Sequence, residues 1–357
     1  MKIDEIDKNF AIPTDIMREG AIFHDVRKAP FALYGLERAE DASLPFHRLD
    51  PTVAEATSAG VAELNYYTAG GRVRFATDSP YILLYCETAK PMTCMPHMPF
   101  SGSQGFDLYV KRGDAEVFRK TFFPPMNALG KTEFSGVLDT HVQGMTSYTL
   151  DFPLYGTCKR LLIGLAPDAK LTAGEAYEET LPVVFYGSSI TQGGCASRPG
   201  TCYTARLSRR FGFDYRNLGF SGCAKGEPAI VDYMATLPMR AFVCDYDHNA
   251  PTLEHLQATL PNVYEKIRTA HPDIPFLFLS SPGADCGLAR RDYIFSVYKN
   301  ARMAGDKNVY FVDGAEMYHG DLSTDCTVDG CHPTDLGFYR MYETVAAYMK
   351  VIFHSEV

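Results

Sequence analysis

Pro182-Val183-Val184-Phe185-Tyr186-Gly187-Ser188-Ser189-Ile190-Thr191-Gln192-Gly193 begins as a strand and ends as a turn. Its first five residues are apolar, β-branched or aromatic, which suits a buried strand. Gly187, the two serines and Gly193 then break that pattern. Downstream the chain alternates. Tyr203 to Phe211 reads as a helix, Asp214 to Leu218 as a strand, and Pro228 to Ala235 as a helix. Ala241 to Cys244 is a strand and Leu253 to Ala270 a helix. Phe276 to Leu279 is a strand, followed by a helix from about Ala289 to Met303 and a last strand at Val309 to Val312. The final helix runs from Asp335 towards Ile352, with Phe338, Met341, Val345, Tyr348 and Ile352 as its apolar stripe. Five strands alternating with helices predict an α/β domain with a parallel sheet covered on both faces. In such sheets ligands bind beyond the carboxyl ends of the strands.

Upstream of about residue 175 the period is different. Gly71 to Thr77, Phe106 to Val110 and Ser147 to Phe152 alternate, Tyr81 to Cys86 is a buried-looking run, and Leu161 to Leu165 follows as a further strand-like segment. Ala69-Gly70-Gly71, Asp78-Ser79-Pro80 and Arg112-Gly113-Asp114 punctuate them. Short strands separated by turns, without a long helical period, predict a β-sandwich or jelly roll. The expected division is therefore 1–175 for a sandwich domain and 176–357 for the parallel-sheet domain. A chain of 357 residues is also long for a single compact core.

Composition excludes several classes. A net charge of -9 argues against a nucleic-acid surface, which needs clustered Lys and Arg. No apolar run approaches the roughly 20 residues needed to span a bilayer. The opening Met1-Lys2-Ile3-Asp4-Glu5-Ile6-Asp7 has no apolar core of a secretory signal, so the expected location is cytoplasmic. Ten cysteines without framework spacing are expected to be free thiols. Cys326, Cys331 and His332 lie close in sequence, but no second ligand pair accompanies them. Neither a metal nor an organic cofactor is expected. A homo-oligomer is compatible with everything above.

The strand ends carry the chemistry. After the first strand of the α/β domain come Ser188 and Ser189; at the end of the second comes Asn217-Leu218-Gly219-Phe220-Ser221-Gly222. After the third comes Asp245-Tyr246-Asp247-His248-Asn249, and beyond the fifth Asp329-Gly330-Cys331-His332-Pro333. A hydroxyl, a glycine amide, a carboxamide and an Asp/His pair are the parts needed for acyl transfer. Ser189 needs a base, and His332 is the candidate. Asp329, three residues earlier, is placed to fix the imidazole tautomer. The N–H groups of Ser189 and Gly222 and the side chain of Asn249 are candidate donors to an oxyanion. Ser189 fails the Gly-x-Ser-x-Gly pattern of the α/β-hydrolase elbow.

These four blocks in order resemble the SGNH (GDSL-type) hydrolases over residues 180–350. The resemblance implies a flavodoxin-like domain with Ser189, Asp329 and His332 as catalytic triad and Ser189, Gly222 and Asn249 as oxyanion hole. Gly105-Phe106-Asp107-Leu108-Tyr109 matches the Gly-x-Asp-Leu-Tyr signature of a β-sandwich that precedes some SGNH esterase domains. Two-domain enzymes of that kind are similar to carbohydrate acetylesterases. By this resemblance the expected activity is removal of short acyl groups, acetyl above all, from a small acetylated sugar or oligosaccharide. Two positions depart from the family pattern: Ser188 replaces an Asp, and Asp247-His248-Asn249-Ala250 replaces Gly-x-Asn-Asp.

Each residue has a plainer reading. Gly219 competes with Gly222, Asn249 can be a helix cap ahead of Pro251, and Asp329 a solvated loop carboxylate. Asp247 and His248 are expected to make structural hydrogen bonds. The sequence does not choose among Arg198, Tyr203 and the segment Met95-Pro96-His97-Met98 as further pocket residues. For the whole chain, the rivals are a lysophospholipase or short-chain lipase and a non-catalytic carbohydrate-binding protein. A nucleotide-binding role would need a phosphate-cradling Gly-rich loop with a Lys, which is missing. The sandwich is expected to buttress the catalytic domain rather than bind glycan.

Overall fold

The computed structural model describes residues 18–283 and 287–353. The opening Met1 to Asp7 segment, on which the expected location rests, lies outside them. Ten strands build the N-terminal half: β1 (Ile22–Asp25), β2 (Ala32–Tyr34), β3 (Arg72–Thr77), β4 (Tyr81–Glu87), β5 (Phe106–Arg112), β6 (Ala115–Phe122), β7 (Glu133–Asp139), β8 (Thr146–Asp151), β9 (Arg160–Leu165) and β10 (Leu171–Ala173). They form two antiparallel sheets, ordered β1-β9-β4-β7 and β10-β3-β8-β5-β6, with β2 sharing an edge of β3 with β10. Val73, Phe75, Ile82, Leu84, Phe106, Leu108 and Leu150 fill the core between them. This is the expected sandwich.

Half of these strands carry a weak sequence signal. In β6, Ala115-Glu116-Val117-Phe118-Arg119-Lys120-Thr121-Phe122 is exposed or half-buried up to Phe122, and charge masks its alternation. In β7, Gly136 interrupts the pattern because Phe122 packs against it; a Cβ there would stand 2.7 Å from the ring.

The C-terminal half contains β11 (Glu179–Gly187), β12 (Phe213–Gly219), β13 (Ala241–Asp245), β14 (Phe276–Leu279) and β15 (Val309–Val312). All pair in parallel, in the order β12-β11-β13-β14-β15. Nine helices occur among the described residues: α1 (Pro51–Thr57), α2 (Ala59–Leu64), α3 (Phe100–Gln104), α4 (Ser189–Gln192), α5 (Tyr203–Phe211), α6 (Pro228–Thr236), α7 (Leu253–Ala270), α8 (Leu288–Met303) and α9 (Asp335–Phe353). Strand side chains alternate between faces. Val183 and Phe185 point to the layer of α5 and α9, where Tyr203, Leu207, Phe338 and Met341 lie. Val184 and Tyr186 point to the layer of α6, α7 and α8. None of the described helices is long and apolar enough to cross a membrane.

Packing crosses the chain-order division. Leu49, Ala54 and Val61 from the α1–α2 segment belong to the same core as Ile230, Leu256 and Val263 of the parallel-sheet domain. Arg48 follows them inside. It is fully buried and donates to the carbonyls of Asn217 (3.1 Å), Leu64 (2.7 Å) and Gly219. Among the described residues no carboxylate pairs with it; burial lowers its pKa to about 9 against an opposing effect of Tyr155.

Candidate active site

The strand order reverses at β11, whose successors leave on opposite sides. The crevice beyond this point is where an open α/β sheet presents a ligand site. Gly187 ends β11 where a Cβ would collide with Thr191 Oγ1 and the Asp245 carbonyl, at 2.1 and 2.3 Å. Ser188, at the position where the family pattern has Asp, caps α4 by accepting from Ile190 N–H at 3.1 Å. Ser and Asp are equivalent at this task. Ser189 is thereby the first residue of a helical turn, where backbone N–H groups lack intrahelical acceptors. Thr191 Oγ1 donates to Asp245 Oδ2 at 2.8 Å and holds the turn to the sheet.

Asp329, His332 and Ser189 converge. Ser189 Oγ lies 2.9 Å from His332 Nε2, and His332 Nδ1 lies 2.7 Å from Asp329 Oδ2. The other carboxylate oxygen accepts from the N–H groups of His332 (2.8 Å) and Cys331 (3.0 Å). Gly330, at φ +83°, makes that tight turn possible. Partial burial alone would raise the Asp329 pKa. The two backbone N–H donors and the His332 ring outweigh it and hold the group at about 2. Asp329 is thus a fixed anion against His332 Nδ1, which leaves the Nε2 lone pair facing Ser189.

Two of the candidate oxyanion donors, Gly222 and Asn249, are in contact. Asn249 Nδ2 donates to the Phe220 carbonyl at 2.8 Å, and Gly222 N–H donates to Asn249 Oδ1 at 3.2 Å. Gly222 has φ +68° and open space where a Cβ would stand. Gly219 differs: a Cβ there would meet Gln192 N at 2.3 Å, and its N–H donates to Asn217 Oδ1. Gly219 is a packing glycine; Gly222 is the one with an open face. Asn249 sits in a short helical turn, Asp247–Asn249. Asp247 accepts from the Ser281 N–H (2.9 Å) and hydroxyl (2.7 Å), the structural role expected of it.

The sandwich half closes one side. Gln192 Nε2 donates to the Leu154 carbonyl, and Tyr155 OH approaches the Ser189 carbonyl at 3.4 Å. Of the segments left open by the sequence, Arg198 is engaged with Asp107 and Tyr203 is buried beneath the turn. His97 reaches the site; its ring centroid is 5.4 Å from that of His332. Among the described residues, the Cys/His cluster in space is His97, Cys195 and His332 rather than Cys326, Cys331 and His332. Cys326 is instead buried against the Leu322 carbonyl. The sequence held no signal for Tyr155 or for Cys195, whose φ of +72° only the folded chain reveals.

Residues 180–352 match the GDSL-like lipase/acylhydrolase family, and residues 21–171 match the N-terminal module of SGNH-type esterases. The chain is similar to a protein from Bacteroides ovatus provisionally assigned as a GDSL-like lipase. That match has 29% identity and a TM-score of 0.84, over 94% of this chain and 98% of the other. It shares its fold with the salicylyl-acyltransferase SsfX3 from a tetracycline biosynthetic pathway, at 19% identity and a TM-score of 0.71 over 94% and 99% of the two chains. It shares it also with an acetyl xylan esterase from Butyrivibrio proteoclasticus, at 12% identity and a TM-score of 0.58 over 94% and 99%. No curated protein matches the chain.

Proposed function

We propose that this chain, a carboxylic ester hydrolase of the GDSL-like (SGNH) type with a GxDLY N-terminal module, removes short O-acyl groups, acetyl foremost, from small sugars or oligosaccharides. Ser189 is the nucleophile, His332 the general base and acid, and Asp329 the group that orients it. The observation that carries this assignment is the continuous relay Ser189 Oγ–His332 Nε2–Asp329 Oδ2, at 2.9 and 2.7 Å.

His332 Nε2 takes the Ser189 proton as Oγ attacks the acyl carbon. Asp329 keeps Nδ1 protonated and stabilises the imidazolium. Negative charge collects on the former carbonyl oxygen. The Ser189 N–H, the Gly222 N–H and the second proton of the Asn249 amide meet it. The Gly222 bond to Asn249 is long at 3.2 Å, and an oxyanion competes for that donor through a charge-assisted bond. His332 then returns the proton to the leaving sugar oxygen. Water attacks the acyl-enzyme with His332 again as base.

The sugar-ester part is supported by the likeness to carbohydrate esterases, one an acetyl xylan esterase. We divide the chain at about residue 175 into a buttressing sandwich and a catalytic domain. Acetate release from acetylated mono- and oligosaccharides, wild type against Ser189→Ala, tests the whole reading. Unchanged turnover in Ser189→Ala removes it. A rate on p-nitrophenyl octanoate equal to or above that on the acetate removes only the short-acyl assignment.

A further inference from the structure

His97 and Cys195 come from different domains and have no part in the relay above. Yet their donor atoms and a ring nitrogen of His332 all lie within 4.8 Å of one another. Contacts between the two segments hold this arrangement. Ser101 Oγ, just after His97, donates to the Ser197 carbonyl at 2.6 Å, and Gly102 packs against the Ala196 carbonyl so closely that a Cβ would stand 2.0 Å from it. Cys195 is 5% exposed and adopts φ +72°, a backbone region that non-glycine residues rarely occupy. The turn is fixed by the Gly193 and Gly194 N–H groups, both donating to the Ser189 carbonyl at 3.0 and 2.8 Å. The thiol is thus presented beside the Ser189 turn by a strained residue.

We propose that His97, Cys195 and His332 form a binding site for a soft divalent cation of the zinc type, and that its occupation switches off the Ser189–His332 pair. Thiolate and imidazole are both donors that zinc takes, and three of them leave a fourth position for water. Tetrahedral zinc with ordinary bond lengths places such donors about 3.3–3.6 Å apart. Closing from the 4.8 Å limit requires a shift of about an ångström, within reach of side-chain rotation in half-buried His97. The outer shell is already in place. Zinc-bound histidines characteristically donate their other N–H to a carboxylate, and His332 Nδ1 faces Asp329 Oδ2 at 2.7 Å. That bond leaves a single lone pair on Nε2. It can take the Ser189 proton or hold the metal, not both. Binding breaks the Cys195 S–H bond; the electron pair stays on sulfur to form the metal–sulfur bond, and the proton leaves to solvent. Nothing is oxidised. The inhibitory consequence rests on the hydrolase reading; the site itself does not.

Titrating the full chain with cobalt(II) chloride tests the site, and titrating p-nitrophenyl acetate hydrolysis with zinc chloride tests its effect. Wild type should show a thiolate-to-cobalt charge-transfer band in the near ultraviolet. Cys195→Ser and Cys195→Ala should lose it. His97→Ala, on an accessible loop, should bind at least about tenfold more weakly, the least that losing even an outer-shell partner costs. Zinc should inhibit wild type, a chelator should restore the rate, and Cys195→Ser, Cys195→Ala and His97→Ala should each need at least about tenfold more zinc, measured against its own metal-free rate. A wild type without the cobalt–thiolate band overturns the site. So does a band lost in Cys331→Ser but kept in Cys195→Ser. Equal zinc sensitivity in wild type and His97→Ala, or activation by zinc, overturns the switch. If no ester is hydrolysed, the hydrolase reading fails alone and the cobalt spectra still decide the site.

Discussion

Asp107 and Arg198 join the two halves of the chain: Arg198 Nη1 donates to Asp107 Oδ2 at 2.7 Å, with the Asp107 side chain fully buried. The same oxygen accepts from Gly200 N–H at 2.9 Å, and Thr121 takes the other oxygen. Tyr109 accepts from the same guanidinium nitrogen at 2.7 Å. Two residues of the Gly-x-Asp-Leu-Tyr signature thus dock loop 198–200. That loop is tied in turn to the start of α9, where Asp335 accepts from Ser197 N–H (2.9 Å) and Thr201 Oγ1 (2.8 Å). The signature is a latch between domains.

Breaking that latch should destabilise the chain. Asp107→Ala leaves the Gly200 N–H without its acceptor and the Arg198 guanidinium without its carboxylate, with the Tyr109 hydroxyl remaining to it. Loss of one partner of a buried pair costs about 3–5 kcal/mol; Arg198 keeps some solvent contact, so the lower end is expected. Denaturant unfolding of both proteins measures it. A change below about 1 kcal/mol, the scale of an exposed ion pair, would contradict the latch.

Asp329→Asn should lower kcat by about 10⁴-fold while leaving the fold intact. The amide can donate to Nδ1, and then the proton sits on Nε2, where it cannot receive one from Ser189. Steady-state kinetics on p-nitrophenyl acetate, with circular dichroism as the control for folding, decide the point. A loss under tenfold would reduce Asp329 to a solvated loop carboxylate.

Asn249→Ala should lower kcat by about 10²–10³-fold, the usual cost of one oxyanion donor, with a smaller change in KM. If Asn249 only caps the turn, stability falls and kcat per folded molecule does not.

Asp245 supplies a pH signature. Burial first, then the charge of Asp247, raise its pKa to about 8, despite the hydrogen bonds from Thr191 and Tyr203. From about pH 4 to 8 the folded chain keeps a proton that the unfolded chain has released. This group's contribution to stability is therefore full below about pH 4 and is lost as pH rises through about 8. Asp245→Asn has no such loss. Its melting temperature relative to wild type should be higher at about pH 9 than at about pH 5. A gap that is constant or shrinks would count against a protonated Asp245. Asp329, held low, changes protonation only in acid and does not enter this window.

Local pattern alone determined much of this protein. The helices at Tyr203–Phe211 and Leu253–Ala270 and the strands at Phe276–Leu279 and Val309–Val312 were legible because their apolar periods and flanking breakers act within one element. The four chemical blocks were legible because each follows a strand, and a parallel sheet gathers such ends along one edge. The charged strand β6 and glycine-broken β7 were not, because their partners in the sheet decide them. Tertiary structure also decided that Gly222 rather than Gly219 has an open face, and that α1 and α2 pack with the other domain's core. It alone brought His97 from the sandwich beside His332. Such choices depend on which surfaces fit across long stretches of chain, and no short-range period encodes that fit.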